Sequence, residues 1–572
     1  MPNTISIRAY GNSDDAFIAW SPGDFIQECR GFQLERARRA KAGGEKVDIV
    51  ENRTGFAKDK PKAGERRPSS DWPFQRFNWT DHAVDVGNQV RYRVTAIIRK
   101  PNGKLGPDVA SPWTPWLTLS PEAGDGFSCY FNRGLILSQF VARYLRDNNL
   151  TPGKLKSGLR KSADPKFRAF LQGDLGARLI KLLEDAKVTD AQTIYAALYE
   201  LDDEILEQGI IDVGARFNLV LANGSDKAGD GNKDARAHLN KEGIVTIDRL
   251  LRSKGLGHNK FVVVSDASGP KSVWTGSTNW STTGLCTQIN NALLIENAAV
   301  AKQFLAQWKR LRDASPPNLD PANFPPALMK SNDTPHTVNV GPAKVTLWFT
   351  RTSDGRDMDA LRKIISDAKS SVQFLMFTPG KAGLHTLAGQ RANEKSMYVR
   401  GVVSTLGQTK AESEQDVLDV QLVSSDHAFK PDRYTVVQPQ GEGGAIGPWI
   451  AEVTRSDFLS SVGHAIVHSK ILVIDALTDH PIVVTGSHNF SAPASDSNDE
   501  NLVIVRGHKA LARAYAAHVM SVYQHYRYRS YVREMVAAGK TPWSALDDND
   551  QWLKLELKSK AQEIDFWANS PA

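Results

Sequence analysis

The segment Val467–Asp475, with the sequence VHSKILVID, is followed at short range by Gly486–Phe490, with the sequence GSHNF. Side chains alternate along an extended strand, so His468 and Lys470 point to the same face. The apolar run Ile471–Ile474 predicts that this strand continues into a buried sheet. The Gly-Ser-x-Asn turn adds a hydroxyl and an amide, and together these groups can hold a phosphoryl group. One copy alone is weak support, because a histidine in a strand more often belongs to an ordinary core.

A second copy of this arrangement lies earlier in the chain. Gly257–Asp266 has the sequence GHNKFVVVSD, and Thr275–Ser281 has the sequence TGSTNWS. His258 again stands two residues before a lysine, Lys260, and a Gly-Ser-x-Asn turn again follows. The repetition predicts two similar halves related by a pseudo-twofold axis, with one site at the seam between them.

The paired His-x-Lys…Asp segments, each followed by Gly-Ser-x-Asn, resemble the two HKD motifs of the phospholipase D superfamily. The second copy has the family's His-x-Lys-x4-Asp spacing, and Asn498-Asp499-Glu500 resembles the family's Asn-x-Glu. The first copy departs from the pattern twice: Asp266 lies one residue late, and Gln288-Ile289-Asn290 replaces Asn-x-Glu. The resemblance covers about residues 123–530, and it leaves the carboxylate partner in the first half open.

The resemblance implies a division of roles between the two histidines. His258 would attack phosphorus and form a phosphohistidine, and His468 would protonate the leaving alcohol and then activate water. The remaining family positions would hold the phosphoryl oxygens or support the groups that do: Lys260, Lys470, Asn279 and Asn489, with Ser277 and Ser487. Glu500 and Asp475 are the candidates to orient an imidazole, and Asp266 is the weaker candidate because its spacing is shifted. The residues alone do not fix which histidine attacks.

The sequence implies no metal and no other cofactor. It lacks an HExxH motif or a clustered set of metal ligands. Lys260 and Lys470 can supply fixed positive charge instead. A metal-dependent phosphodiesterase is therefore disfavoured.

Composition sets broader limits. A length of 572 residues exceeds one ordinary core and predicts two to four domains, and a net charge of +7 permits an anionic substrate without indicating nucleic acid by itself. Cys29, Cys129 and Cys286 are too few and too scattered for a disulfide framework or a zinc site. The start of the chain lacks a secretory signal, and no apolar run is long enough to cross a bilayer. We therefore expect a cytoplasmic monomer without a transmembrane segment, with signal-independent export and peripheral membrane contact left open.

Residues 1–120 have the pattern of an all-β domain. Ala16–Trp20 has strand character, and Gln89–Ile97 alternates apolar and polar residues. With the closing segment Ser111–Trp116, these strands resemble a fibronectin type III sandwich. Between Arg36 and Arg67, a stretch rich in lysine, glycine and arginine predicts a long exposed loop.

Two α/β lobes are predicted to follow, over residues 121–335 and 336–572. Their boundary lies in a proline-rich crossing between Ser315 and Pro335. Each lobe shows a helix and then two apolar strands in the same order. The predicted elements are a helix near 171–187 with strands Thr193–Leu198 and Phe217–Leu221, and a helix near 361–369 with strands Ser371–Phe377 and Val399–Val403. The fold class is thus α/β, a phospholipase D-like pseudo-dimer preceded by a small β-sandwich.

Two segments bear on the substrate. Gly441–Trp449 is a glycine-rich loop with an apolar tip, either a lid or lipid-contacting loop or an ordinary surface loop. Residues 510–536 predict a helix that carries Arg513, Arg527, Arg529 and Arg533 among tyrosines. We expect a solvated amphipathic helix here, with phosphate contact as the alternative.

The favoured function is phospholipase D-type cleavage of phospholipids through a phosphohistidine. Trp280 and Phe490 beside the motif asparagines, together with the apolar loop, favour a lipid. The net positive charge and the arginine-rich helix favour the alternative, a nuclease of the same family that cleaves DNA or RNA. A third reading, an adhesion module on a degenerate core, is disfavoured because both His-Lys pairs are intact.

Overall fold

The structure is a computed structural model. It describes residues 4–39, 43–62, 65–134, 158–160, 164–224, 229–251, 255–315, 326–380, 383–404, 436–437, 467–537, 539 and 545–570. The loop Gly441–Trp449 lies outside these ranges.

The N-terminal region is all-β, as predicted. Its strands are β1 Ser6–Gly11, β2 Ala16–Ser21, β3 Cys29–Arg39, β4 Glu45–Ile49, β5 Glu51–Asn52, β6 Arg67–Pro68, β7 Asn78–Asp81, β8 Gln89–Arg99, β9 Leu105–Ala110 and β10 Leu117–Thr118. One sheet has the order β1-β2-β7, and a second has the order β10-β8-β3-β4, with β9 also paired to β8. Trp20 and Tyr92 are fully buried between them, because the alternating strands direct their apolar faces inward.

The predicted long loop between Arg36 and Arg67 is wrong over its first part, which forms strands up to Asn52. Arg36 lies inside β3, which pairs with β4 as a hairpin. The Arg36 guanidinium binds the carboxylate of Asp48 on the paired strand β4 and that of Asp81 on β7 of the other sheet. Ion pairs across strands thus stabilise a segment whose composition favours a loop.

The first of two large sheets follows. Its strands are β11 Glu122–Gly124, β12 Phe127–Phe131, β13 Thr193–Leu198, β14 Phe217–Ala222, β15 Thr246–Arg249, β16 Lys260–Asp266, β17 Gly269–Gly276 and β18 Asn291–Ile295. Its helices are α1 Pro165–Val188, kinked at Gly173, α2 Glu204–Val213, α3 Lys233–Lys241, α4 Thr282–Cys286, α5 Ala298–Asp313 and, leading to the next half, α6 Pro326–Asn332. The strand order is β11-β12-β18-β17-β16-β13-β14-β15.

The second large sheet repeats this order. Its strands are β19 His336–Val340, β20 Ala343–Phe349, β21 Ser371–Met376, β22 Tyr398–Val403, β23 Val436–Val437, β24 Ile471–Ile474, β25 Ile482–Gly486 and β26 Asn501–Arg506. Its helices are α7 Arg356–Asp367, α8 Leu384–Arg391, α9 Ala492–Asp496 and α10 Lys509–Ala537. The order β19-β20-β26-β25-β24-β21-β22-β23 matches the first sheet strand for strand.

Reciprocal contacts join the two sheets. Thr275 at the end of β17 donates its hydroxyl to Asn501 Oδ1 at 2.6 Å. In the equivalent position, Asn291 Nδ2 donates to the hydroxyl of Thr485 at the end of β25, at 2.8 Å. Corresponding strand ends of the two sheets thus contact the partner sheet in both directions.

The C-terminal part of the chain connects all three regions. Helix α10 is not a solvated amphipathic helix, because Tyr515, Met520 and Tyr523 on it are fully buried against both sheets and the β region. Two final helices, α11 Gln551–Ser559 and α12 Ala561–Ala568, return to the N-terminal β region. Trp567 packs edge-on against Phe17 with 4.6 Å between ring centroids. No helix among the described residues is long and apolar enough to cross a membrane.

Candidate active site

Both histidine-lysine pairs lie where a central strand of each large sheet begins. His258 precedes β16, and Lys260 is its first residue. His468 and Lys470 stand just before β24. Each lysine Nζ donates to the carbonyl of its own histidine, at 2.8 Å for Lys260 and 2.6 Å for Lys470. The ammonium groups are therefore held beside the imidazoles in the same way in both halves.

The Gly-Ser-x-Asn turns are held in place by close contacts with the strand that follows each of them. A side chain at Gly276 or Gly486 would place its Cβ 2.3 Å from the carbonyl oxygen of Asn291 or Asn501, so only glycine fits. The close approach lets the next serine bond the following strand. Ser277 Oγ accepts the backbone N–H of Asn291, and Ser487 Oγ accepts that of Asn501, both at 3.0 Å. The two serines thus fix the turns to the strands that follow them.

His258 is paired with a carboxylate from the other half of the chain. Its Nδ1 lies 2.8 Å from both Oε1 and Oε2 of Glu500, and both side chains are buried. Because an ionised carboxylate only accepts hydrogen bonds, Nδ1 carries the proton, and Nε2 is left for chemistry.

His468 is paired with an amide from the first half. Its Nδ1 lies 2.9 Å from Asn290 Oδ1. The amide orientation is fixed, because Asn290 Nδ2 donates to the carbonyl of Gly284 at 2.8 Å and Ser277 Oγ donates to Oδ1 at 2.7 Å. His468 Nδ1 must then donate to Oδ1, so its Nε2 is also left for chemistry. The sequence had left this partner open.

The motif asparagines differ in their contacts. Asn279 Nδ2 donates to Glu200 Oε2 at 2.5 Å. Asn279 Oδ1 and Asn489 Oδ1 are buried and have no hydrogen-bond partner within the described part of the chain. Buried polar atoms of this kind require an explanation, and a bound ligand or water is the usual one.

Asp266 and Asp475 do not orient an imidazole. At about 3.3 Å per residue of extended chain, Asp475 lies on the order of 20 Å from His468, at the far end of β24. Its carboxylate accepts the backbone N–H groups of Lys369, Ser370 and Ser371 and so caps the turn before β21. Asp266 binds the N–H of Ser268 in the hairpin turn between β16 and β17. Strand length separates both aspartates from the site.

Burial shifts the protonation of the whole cluster. It lowers the pKa of His258 and of His468 well below the usual value, and the neighbouring lysine charges lower both further. Burial also lowers the pKa of Lys260 to about 8 and that of Lys470 well below its usual range, against the opposing charges of Glu500 and Glu200. Burial raises the pKa of Glu500 to about 7. An anionic substrate would reverse these shifts for the histidines and lysines, because it stabilises their charged forms.

One aromatic ring in each half packs on the histidine-lysine pair. The ring centroid of Tyr199 lies 4.7 Å from that of His258 and 5.0 Å from Lys260 Nζ. The ring centroid of Phe377 lies 4.7 Å from that of His468 and 4.9 Å from Lys470 Nζ. Trp280 and Phe490, which the sequence suggested as lipid contacts, are instead buried in the cores of the two halves.

Sequence reasoning missed the groups that hold Glu500 in place. Arg249 at the end of β15 forms a buried ion pair with Asp499, with Nε 2.5 Å from Oδ2. The same guanidinium donates to the carbonyl of Ala314. Arg249 and Asp499 come from different halves and are more than two hundred residues apart in the chain. No local pattern could have connected them.

A buried third histidine adjoins the second turn. His488 Nε2 lies 2.9 Å from Asp357 Oδ2, and Asp357 also accepts the hydroxyls of Thr352 and Ser495. Burial raises the pKa of Asp357, but His488 and the hydroxyls of Ser495 and Thr352 lower it more, to about 2. His488 thereby anchors the turn that carries Ser487 and Asn489. The described residues contain no group of three or more His, Cys, Asp or Glu side chains that could hold a metal ion.

Comparison with known proteins supports a likeness to the phospholipase D superfamily over part of the chain. Residues 361–522 match the family model of the cardiolipin synthase, PLD-like domain. A curated relative, phospholipase D from Rickettsia bellii (strain RML369-C), is 28% identical over 133 residues, which are 22% of this chain and 61% of the relative. The match therefore spans less than two thirds of the relative's length.

Several solved structures match parts of the chain at low sequence identity. Phosphatidylserine synthase from Haemophilus influenzae Rd KW20 is 12% identical with a TM-score of 0.44, covering 69% of this chain and 94% of its own. Yeast tyrosyl-DNA phosphodiesterase is 11% identical with a TM-score of 0.32, covering 58% and 88%. Nuc from Salmonella typhimurium is 16% identical with a TM-score of 0.22, covering 32% and 95%.

Proposed function

We propose that this protein is a phosphodiester hydrolase that works through a phosphohistidine, with phospholipids as its substrate and the two halves acting as a pseudo-dimer. The observation behind this proposal is that the two histidines are hydrogen-bonded to groups of different charge. Glu500, a carboxylate, binds His258, whereas Asn290, a neutral amide, binds His468.

This inequality favours His258 as the nucleophile. Attack through Nε2 leaves positive charge on the imidazole, and a carboxylate at Nδ1 stabilises that charge. His468 must give up a proton, and an amide at Nδ1 leaves its imidazolium more acidic than a carboxylate would. Each partner therefore suits the role assigned to its histidine.

The reaction proceeds in two displacements. First, His258 Nε2 forms a bond to phosphorus while the bond to the leaving alcohol oxygen breaks, and His468 Nε2 donates its proton to that oxygen. Second, His468 takes a proton from water as the water oxygen attacks phosphorus and the bond to His258 breaks. Lys260 and Lys470 neutralise the non-bridging oxygens, and Asn279 and Asn489 present amide donors.

Two considerations favour a phospholipid over a nucleic acid. The family model and the Rickettsia relative both carry lipid enzymes in their names. The arginine-rich helix α10, which favoured a nuclease in sequence, is buried over its first half. The side chains of Arg529 and Arg533 lie outside the described residues, and so does the loop at Ile446–Trp449. A nuclease remains the alternative outcome of the test.

The test uses the full-length protein after treatment with a chelator. We incubate it with phosphatidylcholine vesicles and, separately, with plasmid DNA, and we measure choline release and nicking. Choline release by the wild type and its loss in His258→Asn supports the proposal. Nicking without choline release would make it a nuclease, and activity that returns only with added zinc or magnesium would overturn the mechanism.

A further inference from the structure

Glu200 is a carboxylate at the site that the two-displacement scheme does not use. It follows β13 directly after Tyr199, the residue that packs on His258 and Lys260. Its backbone carbonyl accepts the N–H of Trp280 at 3.1 Å, which ties it to the turn that carries Asn279. Unlike His258 and Lys260, Glu200 is only partly buried, so its charge is accessible to a bound molecule.

The carboxylate fixes the orientation of a phosphoryl-binding amide. Glu200 Oε2 lies 2.5 Å from Asn279 Nδ2. Because a carboxylate only accepts hydrogen bonds, the nitrogen rather than the oxygen of the amide must face it. One N–H of that nitrogen is used by Glu200, and the second is left for a phosphoryl oxygen.

The equivalent position in the other half of the site carries no such charge. Leu198 pairs with Lys260 across β13 and β16, and Leu375 pairs with Ile471 across β21 and β24. This register makes Phe377 the counterpart of Tyr199, as their equal contacts to the histidine-lysine pairs confirm. The residue after Phe377 is Thr378, a neutral side chain. Of these two equivalent positions, only the one in the first half is thus acidic.

We propose that Glu200 determines specificity, so that the site prefers phosphodiesters with a positively charged substituent, such as an ammonium-bearing alcohol. The proposal rests on the proposed function. Lys260 and Lys470 attract any phosphodiester and cannot distinguish one substituent from another. A partly exposed carboxylate beside Asn279 attracts a cation attached to the bound phosphate and repels a second phosphate.

The reach of this charge is consistent with such a role. Burial lowers the pKa values of Lys260 and Lys470, and Glu200 opposes the shift at both. A charge felt by lysines from both halves lies close to the seam, where the phosphoryl group would bind.

The experiment separates the charge from the hydrogen bond. Glu200→Gln keeps an acceptor for Asn279 Nδ2 but removes the charge. We compare p-nitrophenyl phosphocholine with ethyl p-nitrophenyl phosphate, two soluble diesters that share a leaving group and differ in the charge of the substituent. In Glu200→Gln, we expect the ratio of kcat/KM for the cationic over the neutral diester to fall about tenfold.

Two variants serve as controls. Thr378→Val alters the equivalent position of the other half and should leave the ratio unchanged. Glu200→Ala also removes the acceptor, so both diesters should slow. An unchanged ratio in Glu200→Gln would overturn the proposal, and so would an equal loss on both diesters.

Binding provides a readout that does not depend on turnover. Calorimetry with phosphocholine and with ethyl phosphate should show a preference for phosphocholine in the wild type that Glu200→Gln loses. If the wild type hydrolyses neither diester, the proposed function fails, and the binding preference alone decides on Glu200. Equal affinity for the two ligands in the wild type would then overturn the role of Glu200.

Discussion

Glu500 binds Nδ1 of His258 at 2.8 Å although the two residues lie in different halves of the chain. The equivalent contact in the other direction joins Asn290 to His468. Each half therefore supplies the group that orients the histidine of the other half, and the two supports differ in charge.

Removal of the carboxylate at His258 should slow the reaction and change its pH dependence. Burial raises the pKa of Glu500 to about 7, so the carboxylate is charged above this pH and kcat/KM should rise as the pH passes through about 7. Glu500→Gln should lower kcat/KM by about 10²- to 10⁴-fold and abolish this acid limb. The measurement is a kcat/KM–pH profile with an activated diester, with Asp496→Asn, an exposed carboxylate nearby, as the control. An acid limb that persists in Glu500→Gln would assign it to another group.

A carboxylate placed at His468 should affect the opposite limb. In Asn290→Asp, the new charge stabilises the imidazolium of His468 and raises its pKa, so the proton is kept to higher pH. The basic limb of the kcat profile should then move to higher pH. The new carboxylate faces the carbonyl of Gly284 and costs stability, so the position of the limb, rather than the absolute rate, is the readout. A basic limb at the wild-type position would argue against His468 as the acid.

Trapping should separate the roles of the two histidines. Attack on phosphorus leaves a covalent bond to nitrogen, whereas a general acid is dispensable when the leaving group departs without a proton. With a phosphorus-labelled p-nitrophenyl diester and an acid quench, His468→Asn should accumulate label on the peptide that contains His258. His258→Asn should show no label. Label on the His468 peptide would reverse the assignment, and absence of label in a wild type that turns over would indicate direct attack by water.

The ion pair between Arg249 and Asp499 should contribute strongly to stability. Both side chains are almost fully buried, so Arg249→Met removes the guanidinium that is hydrogen-bonded to Asp499. The expected loss is about 3–5 kcal/mol in the free energy of unfolding. The control is Lys181→Met in the exposed Lys181–Asp185 pair, where the loss should be less than about 1 kcal/mol. Denaturant unfolding measures both, and equal effects would contradict the structural role of Arg249.

Asp475→Asn should affect folding rather than chemistry. Its carboxylate accepts three consecutive backbone N–H groups before β21, so its loss should lower Tm. The kcat of the folded protein at low temperature should stay within about threefold of the wild type, since the residue lies far from the imidazoles. A kcat reduced a hundredfold at unchanged Tm would restore the orienting role that the motif resemblance suggested.

The local elements could be predicted from the sequence because their causes are local. Strand β13 has the bounds that its apolar run predicts, and β21 differs from its prediction by one residue. The repeated motif was visible for the same reason, since the two His-x-Lys segments with their Gly-Ser-x-Asn turns each lie within about twenty residues.

Long-range partners could not be predicted in this way. Arg249 and Asp499, or Glu200 and Asn279, meet only after the sheets have formed, and neither pair leaves a periodic trace in the sequence. The burial of helix α10 was missed because its tyrosines and arginines resemble a solvent-facing surface until the β region covers them. The first part of the stretch between Arg36 and Arg67 forms strands instead of a loop, and Arg36 pairs there with Asp48 on the neighbouring strand.

Each histidine is oriented by a residue of the other half, and this arrangement affects how such a site can diversify in evolution. In a symmetric assembly of two identical chains, any change beside one histidine is copied beside the other, so the two imidazoles keep equal basicity until a ligand binds. Fusion of the halves in one polypeptide removes this constraint. A single change such as Glu to Asn at position 290 then alters one imidazole alone, and it does so from the opposite half of the molecule. Asymmetry of this kind can arise one codon at a time without disturbing the shared architecture.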